Sequence, residues 1–194
     1  MRDLLPVKTM SVFFAVLALL CWVIAIALVV GALFRRSQRG RPGRLEPLRD
    51  DVGRIALPLA WMVATVTTLG SLYYSKVQEF VPCELCWYQR ICVYPFAVIL
   101  GIAAWRRDAA IRVYAIPIFV IGMVISAYHT WIQAYPPSSG TSFCTAEAPC
   151  TTRYVWEFQF VSLPFMALSA FVVMTVLLLV ARPAPRRSAP QETQ

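Results

Sequence analysis

Charge is what this chain has little of. Only 14% of its 194 residues are Asp, Glu, Lys or Arg, where ordinary soluble domains carry about a quarter. With 59% of residues hydrophobic, a compact soluble fold cannot hide its apolar surface, and a bilayer is the natural solvent. Acidic residues are the scarcer sign, 10 against 18 basic, for a formal net charge of +8. Lysine is confined to Lys8 and Lys76. The arginines fall in short segments between apolar stretches, which is what membrane topology produces, so no nucleic-acid partner is expected. A haem-type CxxCH, an iron–sulfur cysteine spacing, a dinucleotide fingerprint and internal repeats are all lacking. Any redox chemistry here therefore needs an electron acceptor from outside the chain. The length suits one membrane domain with short loops and leaves no room for a second folded domain.

What is present is a series of long apolar runs. Met10 to Phe34 and Ile55 to Ser75 carry no charge; Trp87 to Trp105 is apolar apart from Arg90. Val113 to Ala134 holds His129 as its ionisable group of note, and Val161 to Ala181 is again uncharged. Each is close to the roughly 20 helical residues that cross a bilayer core of about 30 Å. The first run exceeds the roughly 7–15 apolar residues of a signal peptide and lacks a small-residue cleavage site. It reads as a retained anchor.

The expected architecture is an all-α integral membrane protein, a four-helix transmembrane bundle plus one additional N-terminal transmembrane helix. Residues 1–34 carry the additional helix, 35–54 a basic cytoplasmic linker, 55–182 the four-helix domain and 183–194 a disordered cytoplasmic tail. Arg35, Arg36, Arg39, Arg41, Arg44, Arg49 and Arg54 lie in the first connection, Arg106, Arg107 and Arg112 in the third, and Arg182, Arg186 and Arg187 in the tail. With alternating helices these all share one side. Positive charge marks the cytoplasm, so the N-terminus is expected outside and the C-terminus inside, in a cell membrane. Trp87, Trp105, Trp131 and Trp156 fall near helix ends, as interfacial aromatic belts do.

This topology puts Cys83, Cys86, Cys144 and Cys150, four of the six cysteines, on the oxidising face. Cys83-Glu84-Leu85-Cys86 stands at the outer mouth of the third helix. Two intervening residues let the sulfurs close a small ring at a helix N-terminus, whose positive end stabilises a thiolate. A structural bridge would more often join distant segments. An all-thiolate zinc site is the other bland reading, disfavoured where disulfides compete for the same sulfurs; no metal is expected. Cys144 and Cys150 lie in a loop after Pro136, Pro137 and Gly140. Alone they would read as a loop staple; beside a CxxC on the same face, disulfide exchange is the better reading. Cys21 and Cys92 fall inside helices, where cysteine is usually a small hydrophobe, and receive no role.

Arg90 follows Cys86 by one helical turn on the same face. An Arg costs roughly 2.5–3.5 kcal/mol at the centre of a membrane helix and less near the interface. Either it snorkels to the headgroups, or it stabilises negative charge beside Cys86: a thiolate, a thiolate–acceptor adduct or a reduced carbonyl oxygen. A cycling disulfide must pass on two electrons, and a lipid-soluble quinone reaches such a site through the bilayer.

Cys83-Glu84-Leu85-Cys86-Trp87-Tyr88-Gln89-Arg90 resembles the signature of the DsbB family, disulfide bond formation protein B. The resemblance continues in Tyr128-His129-Thr130, Gln133 and Tyr135-Pro136, returns in Trp156-Glu157-Phe158 and Pro164, and covers about residues 55–182. It implies a four-helix bundle that reoxidises an extracytoplasmic, DsbA-like thioredoxin-fold thiol oxidase and passes the electrons to ubiquinone or menaquinone in the membrane quinone pool. It also implies residue roles. Cys86 would be the quinone-side cysteine, Arg90 the quinone-contacting arginine and Cys83 the disulfide partner of Cys86. Cys144 would form the mixed disulfide with the partner protein, and Cys150 would relay to Cys83. His129 resembles a family histidine near the quinone; a polar residue hydrogen-bonded inside the bundle is the equal alternative.

Two features depart from the family pattern. The first helix and its basic linker are extra, and the loop cysteines stand closer together than in the best-known Gram-negative members, as in the shorter Gram-positive type. A quinone-coupled enzyme of vitamin K epoxide reductase type is a rival reading, but there the loop pair precedes the CxxC, and here the CxxC comes first. A non-catalytic membrane protein with structural disulfides is the rival from another class.

Overall fold

The computed structural model describes residues 7–37, 46–136, 144 and 149–181. The chain is an all-α membrane protein with five helices long and apolar enough to cross a bilayer. These are α1 (Val7–Ser37), α2 (Glu46–Leu72), α3 (Glu84–Arg106), α4 (Arg112–Ala134) and α5 (Leu163–Val180). α2 runs on through a π-helical turn at Tyr73–Val77, and a 3-10 turn at Ala109–Ile111 leads into α4. α2, α3, α4 and α5 close into a ring, each packed on the next and α5 back on α2, while α1 lies outside the ring along α5.

Small residues let these helices approach, the usual means of packing where lipid is as apolar as the core. Ala56, Ala60 and Ala64 recur every turn on α2 and are fully buried. Gly122 on α4 faces the Phe171 ring of α5 so closely that a Cβ there would lie 2.5 Å from it. Phe96, Phe119, Phe171, Met174 and Leu178 fill the bundle centre. Val98, Val124 and Leu179 are exposed on the outer faces, where lipid would cover them. α3 stops at Arg106 because Arg107 turns left-handed, at φ 54°. Asp108 then starts the next turn by accepting a hydrogen bond from the Ala110 N–H at 3.0 Å. This tight reversal keeps Arg106, Arg107 and Arg112 at one end of the bundle.

Two boundaries differ from the sequence reading. α2 starts at Glu46 rather than at the apolar run from Ile55, so part of the expected linker is helical. Pro47 does not prevent this, since a first-turn proline lacks only an N–H that has no intrahelical partner. The middle of the linker, residues 38–45, and the tail from residue 182 lie outside the described residues. The last apolar run opens not as helix but as a two-residue antiparallel ribbon, β1 (Trp156–Glu157) against β2 (Val161–Ser162). Phe158 and Gln159 adopt positive φ at its turn, and Pro164 then opens α5 in its first turn.

Candidate active site

The segment between α2 and α3 sets the first cysteine pair. Glu79 takes a left-handed φ of 57° after the π turn, and an extended stretch runs to Cys83, the N-cap residue of α3. The Cys83 carbonyl accepts from the Trp87 N–H at 3.1 Å, which leaves its thiol free to face inward. Cys86 sits in the first helical turn, and the two sulfurs lie 3.2 Å apart in a hydrogen bond. Both are thiols, whereas Cys144 and Cys150 are joined in a disulfide. Cys83 and Cys150, with Leu85 and Ile132, form one buried cluster against which Cys86 and Cys144 pack. The fold therefore gathers the four predicted cysteines, which arrive from two separate connections. The four-thiolate zinc site weighed from sequence is not formed, because two of its sulfurs are bonded to each other.

His129 of α4 stands between the pairs and is 1% exposed. Its Nε2 lies 3.1 Å from the Cys150 carbonyl oxygen and 3.7 Å from Cys83 Sγ. Its Nδ1 lies 3.2 Å from the amide nitrogen of the buried Gln89. One neutral tautomer satisfies this set: Nδ1 accepts from Gln89, and Nε2–H donates to the carbonyl. The ring thus presents an N–H to Cys83, so it acts as a donor that favours the thiolate. The Cys83 thiol is drawn down to about 4 from an ordinary 9.0. The hydrogen bond shared with Cys86 is the main cause; burial opposes it, and the hydrogen bond from His129 reinforces it. Cys83 Sγ, Cys86 Sγ and a His129 nitrogen lie within 4.8 Å of one another, a donor set able to hold a soft cation while both thiols are reduced.

The loop carrying Cys150 is tied down at several points. Arg153 donates from Nε to the Gln133 carbonyl at 2.8 Å, and its Nη2 also bonds that carbonyl. The same guanidinium stacks over Trp156 at 4.1 Å. The Gln133 amide donates to the Thr152 carbonyl at 3.0 Å. Tyr154 donates to the Val81 carbonyl at 3.2 Å and stacks on Phe80 at 4.7 Å. These contacts satisfy end carbonyls of α4 and join the loop to the approach to α3, which keeps Cys150 beside Cys83.

On the other side of Cys86 lies a cavity of about 340 Å³, almost wholly apolar. Cys86, Gln89, Arg90 and Ser71 stand at one end, and Leu59, Met174 and Ile24 line it deeper in the bundle. Arg90 is half-buried and does not extend freely toward headgroups. Its Nε donates to Ser71 Oγ at 3.0 Å, Tyr94 donates to the same oxygen at 3.0 Å, and Trp87 lies 5.4 Å from the guanidinium. These partners are neutral, so the positive charge stays available to an anion in the cavity. His129 does not line this cavity; it lines the smaller pocket with Cys83, Gln133 and Cys150. Cys86, Leu163 and Pro164 line both spaces, and Gln89 joins them as well, lining the cavity while bonding His129.

Ser71, Arg153 and Tyr154 escape the sequence reading. Ser71 arrives from α2, and Arg153 and Tyr154, although they closely follow Cys150, bond Gln133 and Val81 of other segments, so spacing to the cysteines carries no signal of these roles. Tyr94 was open to inference, since it follows Arg90 by one turn.

A family model described as disulfide bond formation protein DsbB matches residues 53–181. The chain is 42% identical over 124 residues to disulfide bond formation protein C of Bacillus subtilis strain 168, covering 64% of this chain and 90% of that protein. It is 44% identical over 128 residues to a probable disulfide formation protein C of Bacillus cereus, 66% of this chain and 92% of that one. A probable disulfide formation protein of Coxiella burnetii is 40% identical over 127 residues, 65% of this chain and 86% of the relative. No solved structure matches the chain.

Proposed function

The chain belongs to the DsbB family of disulfide bond formation proteins, and from that premise we propose that it is a membrane dithiol:quinone oxidoreductase. It reoxidises a DsbA-type thioredoxin-fold thiol oxidase outside the cytoplasm and so drives disulfide formation in other proteins. One observation carries this reading. Cys86 opens onto the apolar cavity beside Arg90, while its neighbour Cys83 packs against Cys150 of the loop pair.

Electrons enter at the loop. The partner's dithiol reduces Cys144–Cys150 by way of a mixed disulfide at Cys144, and leaves as a disulfide. The Cys150 thiolate attacks Cys83 of an oxidised Cys83–Cys86 pair, and Cys86 leaves as thiolate. Cys144 then attacks Cys150, restoring the loop disulfide, and Cys83 leaves. Its depressed pKa suits it to that departure, since lower-pKa thiols leave faster. Each exchange forms one S–S bond and breaks one, so two electrons end on Cys83 and Cys86. A loop disulfide with a reduced CxxC is the state that follows this transfer.

A quinone, when bound, supplies an acceptor for two electrons and two protons, and the CxxC pair returns to a disulfide. The cavity suits such a molecule, because it combines an apolar body with a polar end at Cys86, Gln89 and Arg90. Arg90 holds negative charge at that end, where a low dielectric makes its charge count for more than in water. Quinone coupling also meets the energetic need. A DsbA-type oxidant lies at roughly −120 mV, so its sink must be more oxidising or continuously renewed. Ubiquinone and menaquinone both meet the requirement.

The test is quinone reduction by the purified protein, followed by quinone absorbance, with a reduced thioredoxin-fold oxidase as donor. One quinone should be reduced per partner disulfide formed. Cys83→Ser and Cys86→Ser should abolish turnover, and Arg90→Met should raise the apparent quinone KM by about 10- to 100-fold. Thiols that never change state, with or without quinone, would sink the reading.

A further inference from the structure

The family match begins at residue 53, so α1 lies wholly outside it. Yet α1 is built into the cavity. Phe14, Leu17, Ala18, Cys21 and Ile24 line it; they recur every three or four residues and so form one stripe of the helix. From Phe14 to Ile24 that stripe spans about 15 Å at the helical rise. The helix is fixed in place by hydrogen bonds on both sides of Ala18. Tyr74 donates to Ser11 Oγ at 3.1 Å, and Trp22 Nε1 donates to Ser169 Oγ at 3.0 Å. The Phe14 ring fits over Gly70, where a Cβ would meet it at 3.0 Å. The opposite stripe, with Phe13, Val16 and Val23, is exposed.

We propose that α1 is the lateral wall of the acceptor cavity, and that its Phe14–Leu17–Cys21 stripe grips the acceptor's apolar tail and thereby sets which tails the enzyme accepts. This rests on reading the cavity as the quinone site. The polar end takes the headgroup, and the cavity continues as an apolar channel toward the middle of the membrane, where a prenyl chain would run. Without α1 that channel would open to lipid between α2 and α5. With α1 in place the tail packs against protein rather than lipid, and selectivity comes from van der Waals contact and shape, because lipid is as apolar as the channel wall. Cys21 thus acquires a place, as a small side chain that keeps the channel open.

The full-length protein is assayed with a long-tailed quinone and with its tail-free headgroup analogue. Cys21→Phe should raise the ratio of tailed to tail-free KM by about tenfold or more, because the added ring occupies the space the tail needs. Val23→Phe, on the exposed stripe, should leave the ratio unchanged. The second readout needs no variant. Alkylation of Cys21 by a membrane-permeant maleimide, read by mass spectrometry of its peptide, should be blocked by the tailed quinone and not by the headgroup. An unchanged KM ratio together with Cys21 labelling indifferent to the tail would overturn the proposal. Failure of the parent reading looks different, as wild-type protein that reduces neither quinone.

Discussion

Cys83 and Cys86 are separated by two residues and by a difference in surroundings. Cys83 caps α3 and receives the His129 N–H at 3.7 Å, while Cys86 turns toward the cavity. The Cys83 pKa of about 4 has a direct kinetic consequence. A thiol at the ordinary 9.0 gains thiolate tenfold with each pH unit between 5.5 and 7.5; one near 4 is already ionised throughout. Iodoacetamide modification of Cys83 in the reduced protein should therefore be nearly flat over that range and fall only as pH drops through about 4. Removing the donors should raise the midpoint, Cys86→Ala most, since that hydrogen bond is the largest cause, and His129→Ala less. A rate that climbs steadily from pH 5.5 to 7.5 would show an unperturbed thiol. His129 matters here as a positioning residue, because its ring also holds the Cys150 carbonyl.

At the scale of elements, the active site depends on where helices end. α4 ends beneath the loop that carries Cys150, and Arg153 returns to its last carbonyls. A hydrogen bond to a charged group contributes about 1.5–3 kcal/mol. Arg153→Ala should therefore slow disulfide exchange between the loop pair and the CxxC by about tenfold or more. Quinone reduction driven by dithiothreitol, a small reductant that can attack the CxxC disulfide directly, should be nearly unaffected. Equal loss in both assays would mean that Arg153 supports the whole bundle rather than the loop. The π turn at Tyr73–Val77 and the left-handed Glu79 have a matching role on the other side, since they end α2 and aim the chain at Cys83.

For the whole molecule, the ring of α2 to α5 holds the candidate active site and α1 closes its flank. Five spans and arginine-rich connections lead us to propose that the N-terminus is outside, the C-terminus is cytoplasmic, and the redox cysteines face the extracytoplasmic side. A dual reporter fused after Gln194 should then be active in its cytoplasmic mode; a periplasmic signal would overturn the orientation and with it the oxidising setting of the cysteines.

The spans, the CxxC and the Cys86–Arg90 pairing were all legible in the chain, because each is a local property: hydropathy over some 20 residues, or spacing within one helical turn. The helical start of α2 and the ribbon before α5 were less so, since hydropathy marks apolar length and not helix ends. Only tertiary structure decided that Cys150 lies against Cys83, that His129 faces the thiols rather than the large cavity, and that Ser71 and Tyr94 hold Arg90. It alone turned the extra helix from an anchor into a cavity wall and gave Cys21 a place in it. These are contacts between segments far apart in sequence, set by which faces of the helices pack together, and no local pattern encodes them.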